Sequence, residues 1–281
     1  MHPIILKIGP LTIYSFGLML AVAFLAAIHT TERLARKYNV PPEMIPDLGL
    51  YVLVAAVLGS RLLYVFVYRS DFVGAGLLSY LKIWEGGMIF YGGAIGAILV
   101  GLWYVRRKKC SAWSVLDIVS PAAALGHAFG RVGCFLNGCC WGKRCSLPWA
   151  VRFPKHLDKS GDIFGSPAFK DHLLRGYVNR SDTLSLPVHP TQLYSVLFLV
   201  ILFFVLLWLL KRRKFVGAVF CQYIIIYGCY RFLVEFIRDD SSSLFLGLTP
   251  FQTMSLPLVV LGCVLYWWRR SRGTVRKPDD A

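Results

Sequence analysis

Long apolar runs, separated by short clusters of Lys and Arg, dominate this chain. Seven runs of roughly 18 or more mostly apolar residues stand out, at about 11–29, 47–69, 88–105, 115–138, 191–210, 215–237 and 251–268. Hydrocarbon offers backbone groups no water to bond, so runs of this length predict helices. The pattern predicts an all-α integral membrane protein with seven transmembrane helices. No segment has a basic start, a short apolar core and a small-residue cleavage site in the order of a cleaved signal, so the first run is expected to persist as a span. With no internal repeat or low-complexity tract, residues 1–281 read as a single polytopic membrane domain.

Composition agrees with this reading: 56% of residues are hydrophobic, only 16% are charged, and mean hydropathy is +0.57. A net charge of +16 would suggest nucleic acid in a soluble protein, but here Lys and Arg sit in loops and at run ends, and no nucleic-acid partner is expected. Sixteen basic residues follow the first, third, fifth and seventh runs; outside residues 139–188 the opposite side holds four. Basic residues favour the cytoplasmic side, which predicts the N-terminus outside and the C-terminus in the cytoplasm. Residues 139–188, with Pro148, Pro154, Pro167 and Pro187 and no clear period, read as an irregular extracytoplasmic cap between the fourth and fifth helices. The run at 211–214 and the basic tail are expected against anionic inner-leaflet lipid.

Three arginines fall inside the runs: Arg61 in "LGSRLLYVF", Arg131 in "GRVG" and Arg231 in "YGCYRFLVEF". An arginine at mid-span costs about 2.5–3.5 kcal/mol on insertion scales, so each needs a partner or a polar cavity. Tyr227, Arg231 and Glu235 recur every four residues and share a helix face, on which Arg231 and Glu235 can pair. One glutamate does not neutralise two guanidiniums, and the surplus suits an anion such as a phospholipid phosphate. Structural ion pairing remains the alternative, above all for Arg61. "VHPTQLYS" opens the fifth helix with Pro190 in the first turn and His189, Gln192 and Tyr194 at its outer end. Asn137 and Gly138 read as the end of the fourth helix. Gly92 with Gly96, and Gly126 with Gly130, have the spacing of close helix packing.

Of eight cysteines, Cys134, Cys139, Cys140 and Cys145 cluster. They lack the paired C-x-x-C spacing of zinc ligands, and an oxidising outer face makes a disulfide or plain packing the favoured readings. No metal and no cofactor is expected.

Six motifs in order, "IGPLTIYSFGLM", "GSRLLYVF", "WEGGMIFYGGAIG", "GRVGCFLNG", "HPTQLY" and "YGCYRFLVEFIR", make the chain similar to the prolipoprotein diacylglyceryl transferases over nearly its whole length. The resemblance implies a multi-pass protein of the bacterial cytoplasmic (inner) membrane, N-out and C-in. It implies transfer of the diacylglyceryl group of phosphatidylglycerol to a cysteine thiol in prolipoprotein signal peptides, forming a thioether and releasing glycerol 1-phosphate. It assigns catalytic roles to Arg131, Arg231 and Glu235, and Tyr91 is expected to act at the position where the family commonly has histidine. It assigns substrate binding to Arg61, Asn137, Gly138, Tyr227, Gln192, His189, Tyr194, Gly92 and Gly93. The acceptor thiol belongs to the substrate, so the chain's own cysteines are not expected as nucleophiles. The chain departs from the family pattern where Tyr91 replaces histidine, Cys134 asparagine, Cys139 glutamate, Phe16 tyrosine and Ser195 glutamate. The general base is thus unassigned, with Tyr91 expected as a neutral hydrogen-bond donor. A non-catalytic relative that binds phospholipid or lipopeptide is the alternative.

Overall fold

The computed structural model describes residues 2–8, 11–72, 80, 82, 86–155, 166–240 and 247–273. The end of the basic tail, residues 156–165 of the cap, and Trp84 and Glu85 of the third motif lie outside the described residues. Seven long helices coincide with the seven apolar runs: α1 (Ser15–Lys37), α2 (Met44–Val67), α3 (Phe90–Arg107), α4 (Ala112–Asn137), α6 (Thr191–Lys211), α7 (Ala218–Glu235) and α8 (Pro250–Arg272). A shorter helix, α5 (Pro167–Leu174), lies in the cap segment. Five of the long helices are apolar enough to cross a membrane by length and composition: α1, α2, α6, α7 and α8. In the other two the polar groups interrupt the apolar stretch: α3 is only 18 residues long and ends on Arg106 and Arg107, and Asp117, His127 and Arg131 are spread along α4.

The first apolar run begins in extended chain, not helix. An antiparallel hairpin of β1 (Ile4–Ile8) and β2 (Leu11–Tyr14) precedes α1, with Lys7 opposite Thr12 and a register shift between Ile4 and Leu6. Ser15 closes it by donating its N–H to the Pro3 carbonyl at 2.9 Å. Isoleucine and threonine favour strands, and an apolar run by itself does not separate strand from helix.

The described residues form two compact units. One comprises residues 28–118, and its centre is the contact of α2 with α3. A Cβ on Gly92 would collide with the Gly59 carbonyl, and one on Gly59 with the Gly92 carbonyl. A Cβ on Gly96 would stand 2.5 Å from the Ala55 carbonyl oxygen. The glycines therefore let the two backbones touch, as the four-residue spacing suggested. Tyr104 of α3 ties the other end by donating its hydroxyl to Asp47 at 3.0 Å.

The other unit comprises residues 1–27 and 119–281. Here α7 packs along α8, with Gly228 against Val259 and Gly262 against Ile225. The described residues of the cap segment are more ordered than their composition suggested. Trp141, Phe153, Ala168 and Val188 form a small core of their own. Residues 142–144 run between two other segments, bonding His189 on one side and Ile237 on the other. No periodic pattern announced this body because its order comes from isolated bridges between distant segments, such as Gly142 with Arg238 and Val151 with Val188.

Candidate functional site

The four-residue spacing on α7 brings its polar residues together as expected. Arg231 donates to Glu235 at 2.5 Å, and the pair is buried, with Glu235 only 3% exposed. Glu235 has further partners. It accepts the Thr249 hydroxyl at 2.9 Å and lies 3.6 Å from Arg238. Thr249 is also the N-cap of α8, where its side chain and that of Gln252 bond each other's backbone N–H in a capping box. The start of α8 is thereby fastened to the carboxylate. Phe251, in the next turn, lies under the Arg231 guanidinium at 4.2 Å. That face-on contact leaves the planar edge of the guanidinium for oxygen ligands.

Arg238 and Asp240 extend the cluster. Arg238 donates twice to Asp240, at 2.9 and 2.6 Å. Burial works against its charge, but the hydrogen bonds and charge of Asp240 prevail and hold the guanidinium protonated above its usual range. Arg238 is one of the four basic residues counted above on the outer side, yet it is 8% exposed. The visible signal was its position three residues after Glu235 in "EFIRDD".

Arg131 lies two turns from the end of α4. Its Nε–H donates to His127 Nε2 at 3.3 Å, and among the described residues its terminal nitrogens have no hydrogen-bond partner. His127 in turn lies against the Tyr227 ring, centroids 5.2 Å apart, so Tyr227 connects α7 to the Arg131 pair. The charges of Arg131 and Arg238 both act on Arg231. Three guanidiniums thus share a field with two carboxylates, Glu235 and Asp240, leaving a net cation. His127 was missed in the sequence, where "GHAFG" was read for its glycines alone; its position four residues before Arg131 was the available signal.

The end of α4 follows the Asn137–Gly138 reading in detail. Gly138 has φ +76°, its N–H bonds the Phe135 carbonyl, and the Cys139 N–H bonds the Cys134 carbonyl at 3.1 Å. These are the two bonds of a Schellman motif. The polar residues of "HPTQLY" serve this turn. Gln192 donates to the Cys139 carbonyl at 2.6 Å, and Thr191 to the Cys140 carbonyl at 2.7 Å. His189 and Trp149 both bond the Tyr194 hydroxyl. Nearby, Lys143, Arg144, Arg175, Tyr177 and Asp239 line a cavity of about 410 Å³ with a cationic wall.

Tyr91, Gly92, Gly93 and Arg61 belong to the unit of residues 28–118. Arg61 is 3% exposed and donates to the carbonyls of Tyr80, Gly86 and Gly87, a scaffolding arrangement of the kind left open from sequence. Gly92 and Gly93 serve the α2–α3 contact. All eight cysteines are free, so of the two readings left open for the cluster, disulfide or plain packing, no disulfide is present.

Fold and structure define a class: a helical protein with membrane-crossing helices and a guanidinium-rich cluster built around the last two turns of α4 and α7. The family model described as prolipoprotein diacylglyceryl transferase matches residues 3–268. A phosphatidylglycerol–prolipoprotein diacylglyceryl transferase from Pseudomonas putida is 34% identical over 98% of this chain and 97% of its own length. Proteins of the same name from Bordetella parapertussis and Vibrio campbellii are 35% and 34% identical, each over 99% of this chain, covering 97% and 94% of their own lengths. The chain belongs to the prolipoprotein diacylglyceryl transferase family.

Proposed function

We infer that this protein transfers the diacylglyceryl group of phosphatidylglycerol to the cysteine thiol of prolipoprotein signal peptides, forming a thioether and releasing glycerol 1-phosphate. The observation that carries the reading is the cationic group of Arg131 and Arg231, with the terminal nitrogens of Arg131 unspent among the described residues. Two planar forks suit the bridging phosphodiester, whose negative charge grows as the carbon–oxygen bond breaks. Glu235 fixes Arg231 in position, His127 fixes Arg131, and neither carboxylate of the cluster cancels the third positive charge. Tyr91, Gly92, Gly93 and Arg61 are assigned to lipid or peptide binding from their motifs, with Tyr91 a neutral hydrogen-bond donor. Asn137, Gly138, His189, Gln192, Tyr194 and Tyr227 support the turn and the arginines that meet the substrate.

The protein works as one polytopic domain of the bacterial cytoplasmic membrane, with all seven long helices as spans, the N-terminus outside and the cap on the outer face. The test is rescue of a bacterial strain depleted of its own transferase. Growth on this gene, with a reporter prolipoprotein gaining the mass of a diacylglyceryl group, is the expected result. Failure of a membrane-inserted protein to rescue and to modify the reporter overturns the reading.

A further inference from the structure

The thiols at the end of α4 are not among the hydrogen-bond partners of Arg131, Arg231 or Arg238, and the turn that holds them is heavily braced. Gly138 at φ +76° and Cys140 at φ +62° fold the chain back on the helix. As a result the sulfurs of Cys134, Cys139 and Cys140 all lie within 4.8 Å of one another. A non-glycine residue at positive φ is an uncommon backbone state and persists only where its surroundings hold it. Here the buried side chains of Thr191 and Gln192 hold the carbonyls on either side of that bend. The three cysteines are half-buried and not joined by a disulfide.

Spacing along the chain hid this arrangement, because zinc motifs are read from ligands on open loops. Helix reversal brings residues five and six apart to one point instead. A zinc–sulfur distance of about 2.3 Å puts tetrahedral sulfurs about 3.8 Å apart, so each thiol needs to move by only about half an ångström. Among the described residues no further His, Cys, Asp or Glu completes the set. A tetrahedral cation with three protein ligands keeps one open position, which is the layout of a reactive site and not of a closed structural one. Three thiolates and a dication leave one negative charge on such a site.

The reaction has an unmet need for such a site. A thiol must lose its proton to attack carbon, and the histidine of the family pattern is Tyr91 here. His127 does not replace it. Its Nε2 lone pair accepts the Arg131 N–H, so in the neutral ring Nδ1 carries the proton and no lone pair remains for a thiol.

We propose that Cys134, Cys139 and Cys140 bind Zn²⁺ and that its fourth position takes the acceptor thiol of the incoming signal peptide. This rests on the transfer reading above. Coordination deprotonates the thiol at neutral pH, the proton passing to water. The bound sulfur then forms the carbon–sulfur bond to the glyceryl carbon as the carbon–oxygen bond to phosphate breaks. The electron pair of that bond leaves on glycerol phosphate beside the arginines, and no oxidant or reductant is consumed.

The test uses full-length protein purified in mild detergent with its thiols reduced. One Zn²⁺ per chain is expected, and Co²⁺ in its place should give sulfur-to-metal charge-transfer absorption. Cys134→Ser, Cys139→Ser and Cys140→Ser should each weaken Zn²⁺ binding by about 10-fold or more, while Cys145→Ser binds like wild type. A short signal-sequence peptide with one cysteine should change the Co²⁺ spectrum, and its serine counterpart should not. Three results overturn the proposal: no Zn²⁺ bound by the reduced wild type, a disulfide between two of the three cysteines in protein alkylated directly in membranes, or a Co²⁺ spectrum indifferent to the cysteine peptide. None of these readouts measures transfer, so their failure leaves rescue of the depleted strain standing, and failed rescue with an intact metal spectrum counts against the transfer reading alone.

Discussion

Lysine at position 131 or 231 keeps the charge but loses the planar fork. Arg131→Lys also gives up the Nε–H that reaches His127, and Arg231→Lys gives up the stacked face over Phe251. Each variant is expected to lose at least about tenfold in transfer of labelled lipid, matching the roughly 1.5–3 kcal/mol of one charge-assisted hydrogen bond. Detergent-purified protein with an unchanged melting temperature is the required comparison. Wild-type rates from both lysine variants would sink the phosphate-fork role. The two arginines were legible in the sequence because charge inside an apolar run is itself an anomaly. Arg238 and Thr249 were not, because both lie beyond the apolar runs, where their types are ordinary, and His127, four residues before Arg131 inside a run, was passed over between two glycines.

At the scale of elements, the α2–α3 contact depends on glycine in a way that a single methyl group tests. Gly92→Ala drives a Cβ into the Gly59 carbonyl, and backbone cannot yield as a side chain does. Overpacking of this kind costs about 1–3 kcal/mol, so a clear fall in melting temperature is expected. Gly130→Ala is the control: a Cβ there meets nothing within 4 Å, and alanine favours helix, so its melt should stay level or rise. The cap segment has its own signature. His172 is fully buried in α5 and accepts the Leu186 N–H through Nδ1. Burial holds its imidazole below the ordinary 6.5, while Asp171 and Asp239 pull it up, and Arg175 and Arg144 push it down. The unfolded cap therefore takes up a proton that the folded cap refuses. Stability is full above about pH 6.5 and falls as pH drops below it. Amide protection factors over residues 166–190, with the intrinsic pH dependence of exchange divided out, should fall between pH 7.5 and 5, and His172→Asn, which keeps the acceptor, should flatten that dependence. An unchanged slope in the variant would assign the acid sensitivity elsewhere.

For the whole molecule, orientation is the open quantity, and it is carried by charge. With sixteen basic residues on one side against four on the other outside the cap, a phosphatase that works only outside the cytoplasm should be inactive when fused after Arg272 and active when inserted in the cap after Lys155. The reverse pattern would invert the proposed topology. What the sequence determined by itself was the number and position of the long helices, the end of α4 at Gly138, and the Arg231–Glu235 pair. Each is a local matter: apolar length, a left-handed residue, and a four-residue repeat act within a few turns of chain. The tertiary structure alone decided that the cap has a core of Trp141, Phe153, Ala168 and Val188, that Thr249 bolts α8 to Glu235, and that three thiols converge beyond α4. These depend on segments well separated along the chain, by 14 residues for Thr249 and Glu235, except the thiols, where two residues at positive φ turn a spacing that is uninformative in sequence into a shared point in space. Local rules fix what a segment is; which segments meet is set by how their faces pack, and no period along the chain records it.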